Sequence, residues 1–228
     1  MRAAFLPGLV SHHEYLLSGD ILHHLVNVIR IEKDEELLLL SGRGLSVRTT
    51  VSEASKKLLK LTRISDSTSE RAFVLDLVLG VPKKDALELS LKEAVELGFR
   101  KVFLVRSDYS QTKVPEAERL MSILVSALEQ SNSAFLPEVL EADWTSIPWN
   151  DYGTVLMLDS QAGTPVKSNI ISAVNCLVIG PEGGFSSAEL ENLRKQPHLE
   201  SILLPTPILR TPTAVATGAG LILQRLMT

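Results

Sequence analysis

The stretch from Cys176 to Ala214 constrains this chain more than any other. Cys176-Leu-Val-Ile179 is a short unbroken apolar run, which suits a strand covered on both faces. Gly180 and Pro181 end it, because proline cannot donate a ladder hydrogen bond. Gly183 and Gly184 then permit positive φ and a close approach of backbone to a ligand. Ser186 with Glu189 three residues later is a capping box and predicts a helix start. The plan repeats: Ile202 to Leu204 reads as a strand, Pro205-Thr-Pro207 as a stiff loop, and Thr211 as an N-cap before Pro212 at the first helical position. Two such units in succession imply a parallel sheet, and parallel sheets bind ligands in the loops leaving the carboxyl ends of their strands. Neither loop is a known phosphate cradle, since no Gly-Lys-Ser/Thr and no G-x-G-x-x-G spacing is present. On glycine's general turn preference alone, the Gly-Gly pair is as often a plain turn.

The rest of the chain agrees with an α/β reading. Phe73–Leu79, Lys101–Val105 and Gly153–Leu158 read as strands, the last followed by a loop from Asp159 to Gly163. Between them, a helix starts at Asp85 with Leu87, Leu91, Ala94, Val95 and Leu97 on its buried side and stops at Gly98; another runs from Pro115 to Gln130. Strands alternating with helices imply a parallel, doubly covered sheet. Residues 1–66 read differently, as a small β unit with strands at Ala3–Leu6, Glu36–Leu40, Leu45–Val51 and Leu58–Ile64, plus an amphipathic stretch from Ile21 to Val28 capped by Asp20. The polar run Ser65–Glu70 is the expected linker. The last helix, Pro212–Leu226, carries Gly218 and Gly220, which cost helix stability and so imply close packing or a ligand alongside.

At 228 residues the chain can hold one large domain or two small ones. Its single cysteine excludes a disulfide framework and a cysteine-based metal site, and Cys176 reads as a small core residue. The adjacent His23 and His24 lack the i,i+4 spacing of helical metal ligands, so no metal is expected. No signal peptide and no run of membrane-span length is seen, so a cytoplasmic setting is expected. The net charge of −4 argues mildly against a dedicated nucleic-acid binder. Its distribution is uneven: residues 1–70 hold nine Lys/Arg and nine Asp/Glu, so residues 71–228 carry the whole acidic excess. Residues 42–63 hold Arg43, Arg48, Lys56, Lys57, Lys60 and Arg63 against Glu53 alone, a candidate phosphate-facing patch. A solvated sheet face is the competing explanation.

Ile179-Gly-Pro-Glu-Gly-Gly-Phe185-Ser followed by Ile208-Leu-Arg-Thr-x-Thr-Ala214 resembles the RsmE family of small-subunit ribosomal RNA uracil-N3 methyltransferases, which belongs to the knotted SPOUT superfamily. Met1-Arg2, His23-His24-Leu25 with Val28-Ile29-Arg30, Glu96-Leu97-Gly98, Glu129-Gln130-Ser131 and Leu136-Pro137 match the same family in order, so the resemblance covers essentially the whole chain. It implies an α/β fold: a PUA-like β-barrel that holds RNA, residues 1–68, followed by a trefoil-knotted, parallel-sheet SPOUT domain, residues 69–228. It implies a homodimer, S-adenosylmethionine as donor, and N3 of one uridine in 16S ribosomal RNA, within the small ribosomal subunit, as target. The donor is then expected against Leu158, Ile179, Gly180, Glu182, Gly183, Leu204, Ile208 and Leu209. Uridine N3 is protonated at neutral pH, so the site needs a base or a cation that stabilises the developing anion. Arg210 is the candidate cation, with Glu129 and Gln130 on the substrate side. Arg2, Arg30, Arg43 and Arg48 are the candidate RNA contacts. Glu93 and Tyr109 stand where the family usually has Lys and Arg, and Asn132-Ser133 replaces Gly-Arg. Pro205, Pro207 and Pro212 replace Gly, Arg and Glu.

Three readings compete. The first is the uracil-N3 methyltransferase. The second is a non-catalytic or retargeted RNA-binding relative, favoured by the missing cations. The third is a small-molecule α/β enzyme, disfavoured because no nucleophile–base pair, metal spacing or phosphate loop occurs.

Overall fold

The computed structural model describes residues 1–160, 162 and 174–226. Of the loop expected at Asp159–Gly163, Gln161 and Gly163 lie outside the described residues. The chain divides into two compact units: residues 1–70 with 125–136, and residues 71–124 with 137–228.

The first unit is a five-stranded sheet in the order β1 (Arg2–Phe5), β3 (Glu36–Leu40), β4 (Leu45–Ala54), β5 (Leu59–Thr68), β2 (Glu14–Leu17). β1 and β3 are parallel and the other pairs antiparallel. Period-2 alternation turns Leu37, Leu39, Val47, Val51, Leu59 and Leu61 into one core. Thr49 shares that inward face, and its hydroxyl donates to the Leu37 carbonyl at 2.8 Å, which makes its burial tolerable. The expected linker is corrected in part. Ser65, Asp66, Ser67 and Thr68 extend β5, paired with Arg48 back to Leu45. Their polarity reports an exposed surface, whereas the ladder needs only backbone groups. β2 was not legible either: it is a short edge strand in which only Tyr15 and Leu17 are buried.

The helical stretch also starts differently. α1 spans Gly19–His23 with Ser18 at the N-cap position, so Asp20 is a first-turn acid rather than the cap. A π-helical turn, His24–Val28, follows, with Ile29 N–H reaching the His24 carbonyl at 3.0 Å. Residues 125–136 join this unit through Gly44 N–H to the Ala134 carbonyl and Leu136 N–H to the Gly42 carbonyl, both 2.9 Å. Gly44 must be glycine: its φ is +104°, and a Cβ there would lie 2.6 Å from the Ser69 carbonyl oxygen. Asn132, at φ +54°, ends α3 (Ala117–Ser131) in the left-handed conformation that a glycine would otherwise supply.

The second unit is a six-stranded, wholly parallel sheet ordered β11 (Leu199–Ile202), β9 (Thr154–Leu158), β10 (Val174–Ile179), β6 (Val74–Gly80), β7 (Lys101–Val105), β8 (Glu138–Ala142). The central strands are mostly apolar, as two covered faces require, with Asp76 in β6 and Asn175 in β10 as buried polar exceptions, and Cys176 is a free, buried core thiol. α2 (Lys84–Glu96) packs on α5 (Thr211–Leu226), and α5 packs on β9 and β10. Gly218 is why α5 can come so close, since a Cβ there would lie 2.6 Å from Leu177 Cδ1. α4 (Ser187–Leu193) follows the glycine-rich loop. β8 escaped the sequence reading because its Glu138 and Glu141 interrupt the apolar run at a sheet edge. Deep in the sheet, buried Asp76 accepts from Arg100, from the Tyr152 hydroxyl at 2.8 Å and from Lys101 N–H at 3.1 Å, so the charge is paired and hydrogen-bonded.

Candidate functional site

The site forms where β9, β10 and β11 end. β10 delivers its chain into Gly180-Pro181, and Gly184, at φ +70°, closes a turn by donating to the Pro181 carbonyl at 2.8 Å. Close packing sets the loop's path. A Cβ on Gly80 would lie 2.6 Å from Pro181 Cδ, and one on Gly183 would lie 3.0 Å from Tyr109 Cβ. The capping box is complete: Ser186 Oγ accepts Glu189 N–H at 3.3 Å, and Glu189 Oε2 accepts Ser186 N–H at 2.9 Å. The buried Glu189 carboxylate uses its other oxygen to accept Asp108 N–H at 3.1 Å. Glu182 takes the loop-anchoring role open to such a carboxylate. Its two oxygens accept Lys83 N–H at 3.1 and 3.2 Å, at the N-cap position of α2, where negative charge is favoured.

The second loop leaves β11 earlier than expected. The strand is Leu199–Ile202, so Leu203 and Leu204 belong to the loop rather than to the strand. The N-cap is also displaced by one residue. The Arg210 carbonyl accepts Ala214 N–H at 2.9 Å, placing Arg210 at the N-cap position, Thr211 first in the helix and Pro212 second. Thr211 is buried, and its hydroxyl donates to the Gly180 carbonyl at 3.4 Å, which ties the two loops together.

Between the loops lies a cavity of about 360 Å³, and Leu158, Ile179, Gly180, Glu182, Gly183, Leu204, Ile208 and Leu209 all line it. That volume is within the range of small-molecule sites. Its walls combine aliphatic side chains with the turned backbone of Gly180–Gly184, which suits a ligand with a flat apolar part and polar edges. Sequence reasoning missed Asp159, Thr211 and Ala214, which line the same cavity. Asp159 is buried and paired with Arg194 at 3.1 Å; its place at the end of β9 was the available signal. Ile208 stands 88% exposed in the loop wall.

Arg210 is exposed and makes no ion pair among the described residues. Glu129 and Gln130 lie in the other compact unit. There Glu129 Oε1 accepts Phe5 N–H at 2.8 Å, so this carboxylate already satisfies a strand amide, while Gln130 is exposed. Three of the six cations of the expected basic patch are paired with acids from outside its sequence window. Arg48 makes a bidentate pair with Glu36 at 2.9 and 2.8 Å, Lys60 pairs with Glu14, and Arg63 with Asp66. Arg2 pairs with Glu35 at 2.8 Å. Arg30 (φ +57°) and Arg43 are exposed with no ion pair among the described residues.

Of the departures from the family pattern, Glu93 on α2 has a buried carboxylate oxygen with no hydrogen-bond partner among the described residues. Burial, and then the neighbouring Glu96, push its carboxyl up to about 7. Ser133 N–H donates to the Leu128 carbonyl of α3 at 3.2 Å, and its hydroxyl donates to the Phe135 carbonyl at 3.1 Å. Among the described residues there is no cluster of three or more His, Cys, Asp or Glu placed to hold a metal ion, and no helix is long and apolar enough to cross a membrane.

The profile of the RNA methyltransferase domain family matches residues 69–223, which is most of the chain, and that of the RNA methyltransferase PUA domain matches residues 17–62. The chain belongs to the RNA methyltransferase family. It is 26% identical over 212 residues to ribosomal RNA small subunit methyltransferase E of Rickettsia conorii, covering 89% of this chain and 86% of that one. The protein of the same name from Bacillus subtilis is 25% identical over 220 residues, covering 88% and 86%. The crystal structure of a ribosomal RNA small subunit methyltransferase E from Neisseria gonorrhoeae bound to S-adenosyl methionine superposes with a TM-score of 0.85 at 23% identity, over 98% of this chain and 97% of that one. The fold of this RNA methyltransferase is accordingly the expected one, an α/β SPOUT-type parallel-sheet domain preceded by a PUA-like domain.

Proposed function

We propose that this RNA methyltransferase transfers a methyl group from S-adenosylmethionine to N3 of a uridine in small-subunit ribosomal RNA. The observation that carries the reading is the two-loop cavity, in which the eight residues expected to hold the donor converge on one volume. The donor supplies an electrophilic methyl on a sulfonium. The chain's part is to hold it against Leu158, Ile179, Leu204 and Leu209, with the backbone of Gly180 and Gly183 close enough to accept or donate hydrogen bonds.

Uridine N3 must lose its proton. Arg210 supports that step in two ways: its guanidinium is free of ion pairs among the described residues, and it occupies the N-terminus of α5, where the helix favours an anion. Glu129, being engaged with Phe5 N–H, serves as a positioning residue, with Gln130 beside it as an exposed substrate contact. We assign RNA holding to residues 1–68, through Arg30 and Arg43 first, with Arg2 and Arg48 contributing when RNA phosphates compete with Glu35 and Glu36. Catalysis falls to residues 69–228. A homodimer and a cytoplasmic setting belong to the same proposal.

The paired state of Arg2 and Arg48 favours one alternative, a relative retargeted to another RNA or without turnover. One experiment separates the two. Purified protein is incubated with labelled S-adenosylmethionine and unmodified small subunits, and methylated nucleosides are mapped by mass spectrometry. A single N3-methyluridine, reduced about 100-fold by Arg210→Ala, is expected. Donor binding with no methylated small-subunit RNA would favour the alternative.

A further inference from the structure

The glycine-rich loop has a neighbour that the reaction above leaves unused. Beyond β7, residues 107–110 form a turn closed from both sides. Ser110 N–H donates to the Ser107 carbonyl at 3.0 Å, and Ser110 Oγ accepts Ser107 N–H at 3.1 Å. Asp108 N–H is held by Glu189, the buried carboxylate that also starts α4. The turn is therefore fixed to the base of the cavity loop by a charge-assisted hydrogen bond. At its tip stands Tyr109, 51% exposed, with no hydrogen bond to its hydroxyl among the described residues. Its Cβ lies against Gly183, which lines the cavity. Arg106, one residue before the turn, is exposed and makes no ion pair among the described residues.

An exposed aromatic ring has little to gain from packing. Held on a rigid turn, however, it loses little entropy when a flat group lies on it. Nucleic-acid bases are such groups, and they stack on aromatic side chains without regard to identity. The exposed Arg106, just before the turn, is a cation free of ion pairs among the described residues and available to a phosphate of the same strand. We infer that Tyr109 is a stacking platform for a base of the RNA substrate, either the target base at the cavity mouth or its immediate neighbour in the strand. This rests on the RNA methyl-transfer reading.

The test uses full-length protein and compares wild type, Tyr109→Ala, Tyr109→Phe and Tyr109→Trp. Donor affinity is measured by calorimetry, and KM for small-subunit RNA and kcat by methyl transfer. Removal of the ring is expected to raise KM for RNA roughly five- to 150-fold. Donor affinity stays within about twofold, which also shows that the variant is folded. Tyr109→Phe and Tyr109→Trp keep KM near the wild-type value, because the ring face and not the hydroxyl carries the contact. The assignment is overturned if Tyr109→Ala leaves KM unchanged, if Tyr109→Phe loses as much as Tyr109→Ala, or if donor binding falls in parallel with RNA binding. Wild-type protein that binds donor yet methylates no small-subunit RNA sinks the functional reading and this assignment together, and that result is visible before any variant is compared.

Discussion

The two loops around the cavity follow one plan and are made rigid in different proportions by their own covalent structure and by outside contacts. Gly180–Phe185 has one proline, Pro181, and one internal bond, Gly184 N–H to the Pro181 carbonyl at 2.8 Å. It is held by contacts with distant residues: Glu182 on Lys83 N–H, Glu189 on Asp108 N–H, and the close approaches of Gly80 to Pro181 and Gly183 to Tyr109. The segment from Leu203 to Arg210 has few such partners. Its Pro205, Thr206, Pro207 and Ile208 are exposed, and its order comes from two proline rings, a Thr206 N–H to Leu204 carbonyl bond of 2.8 Å, and the Thr211 hydroxyl on Gly180. A loop held by tertiary contacts can fit a ligand closely but loses its path when a contact that anchors its backbone is removed, whereas Tyr109→Ala keeps the Cβ that packs on Gly183. A loop stiffened by its own covalent rings tolerates substitution in small steps.

That difference predicts a graded set of losses. Glu189→Ala removes the acceptor of two amides at once and leaves them unsatisfied. Chemical denaturation should show a loss of about 2–4 kcal/mol, and donor affinity should fall with it because both the glycine loop and the Tyr109 turn come loose. Gly80→Ala is next. Its Cβ would meet the Pro181 ring at 2.6 Å, so the loop itself must shift; a cost of about 1–3 kcal/mol is expected, with donor binding weakened more than tenfold in calorimetry. An unchanged donor affinity would show that the loop's close packing does not shape the cavity.

A smaller, pH-dependent effect is expected on α2, the helix that Glu182 caps. Glu93 has its carboxyl raised from 4.5 to about 7, so the folded state holds the proton more tightly than the unfolded state. Its contribution is therefore fully favourable below about pH 4.5 and is lost as pH rises through 7. Glu93→Gln should raise the melting temperature at pH 8 and leave it nearly unchanged at pH 4.5. The underlying effect is on the order of 1 kcal/mol, because the group is only half-buried and solvent screens it. Equal gains at both pH values would rule out ionisation as the cause. Smallest of all is Pro207→Ala, which releases chain entropy at one exposed position. A stability loss of about 0.4–1 kcal/mol and a donor affinity reduced less than fivefold would fit self-stiffening. A collapse as deep as that of Gly80→Ala would erase the contrast between the loops.

Much of this was legible in one dimension because the signals are local. Proline's missing N–H, glycine's tolerance of positive φ, the Ser186–Glu189 capping box and the period of apolar residues act over a few positions, and they located β10, α4, α5 and both loops. The eight cavity residues were placed by the same punctuation together with the family pattern. Pairing across the chain was not legible. Arg48, Lys60 and Arg63 read as part of a free patch because their partners, Glu36, Glu14 and Asp66, lie outside the run from Arg43 to Arg63. Ser65–Thr68 read as a linker because polarity reports solvent contact, while strand membership depends on which backbone lies alongside. Glu129 read as a substrate contact, and only the fold shows it holding Phe5 N–H.

The sequence by itself therefore determined the class of the fold, the positions where the chain must turn, and the residue types at the two loops, since each follows from the conformational limits of a residue and its near neighbours. Only the tertiary structure decided what those residues touch. It set Glu182 on the start of α2, hung the Tyr109 turn on Glu189, brought Gly80 against Pro181, and formed the cavity where β9, β10 and β11 end. The reason is physical: contacts between groups some 30 to 100 residues apart depend on where the whole parallel sheet brings its strand ends, and no local propensity records that.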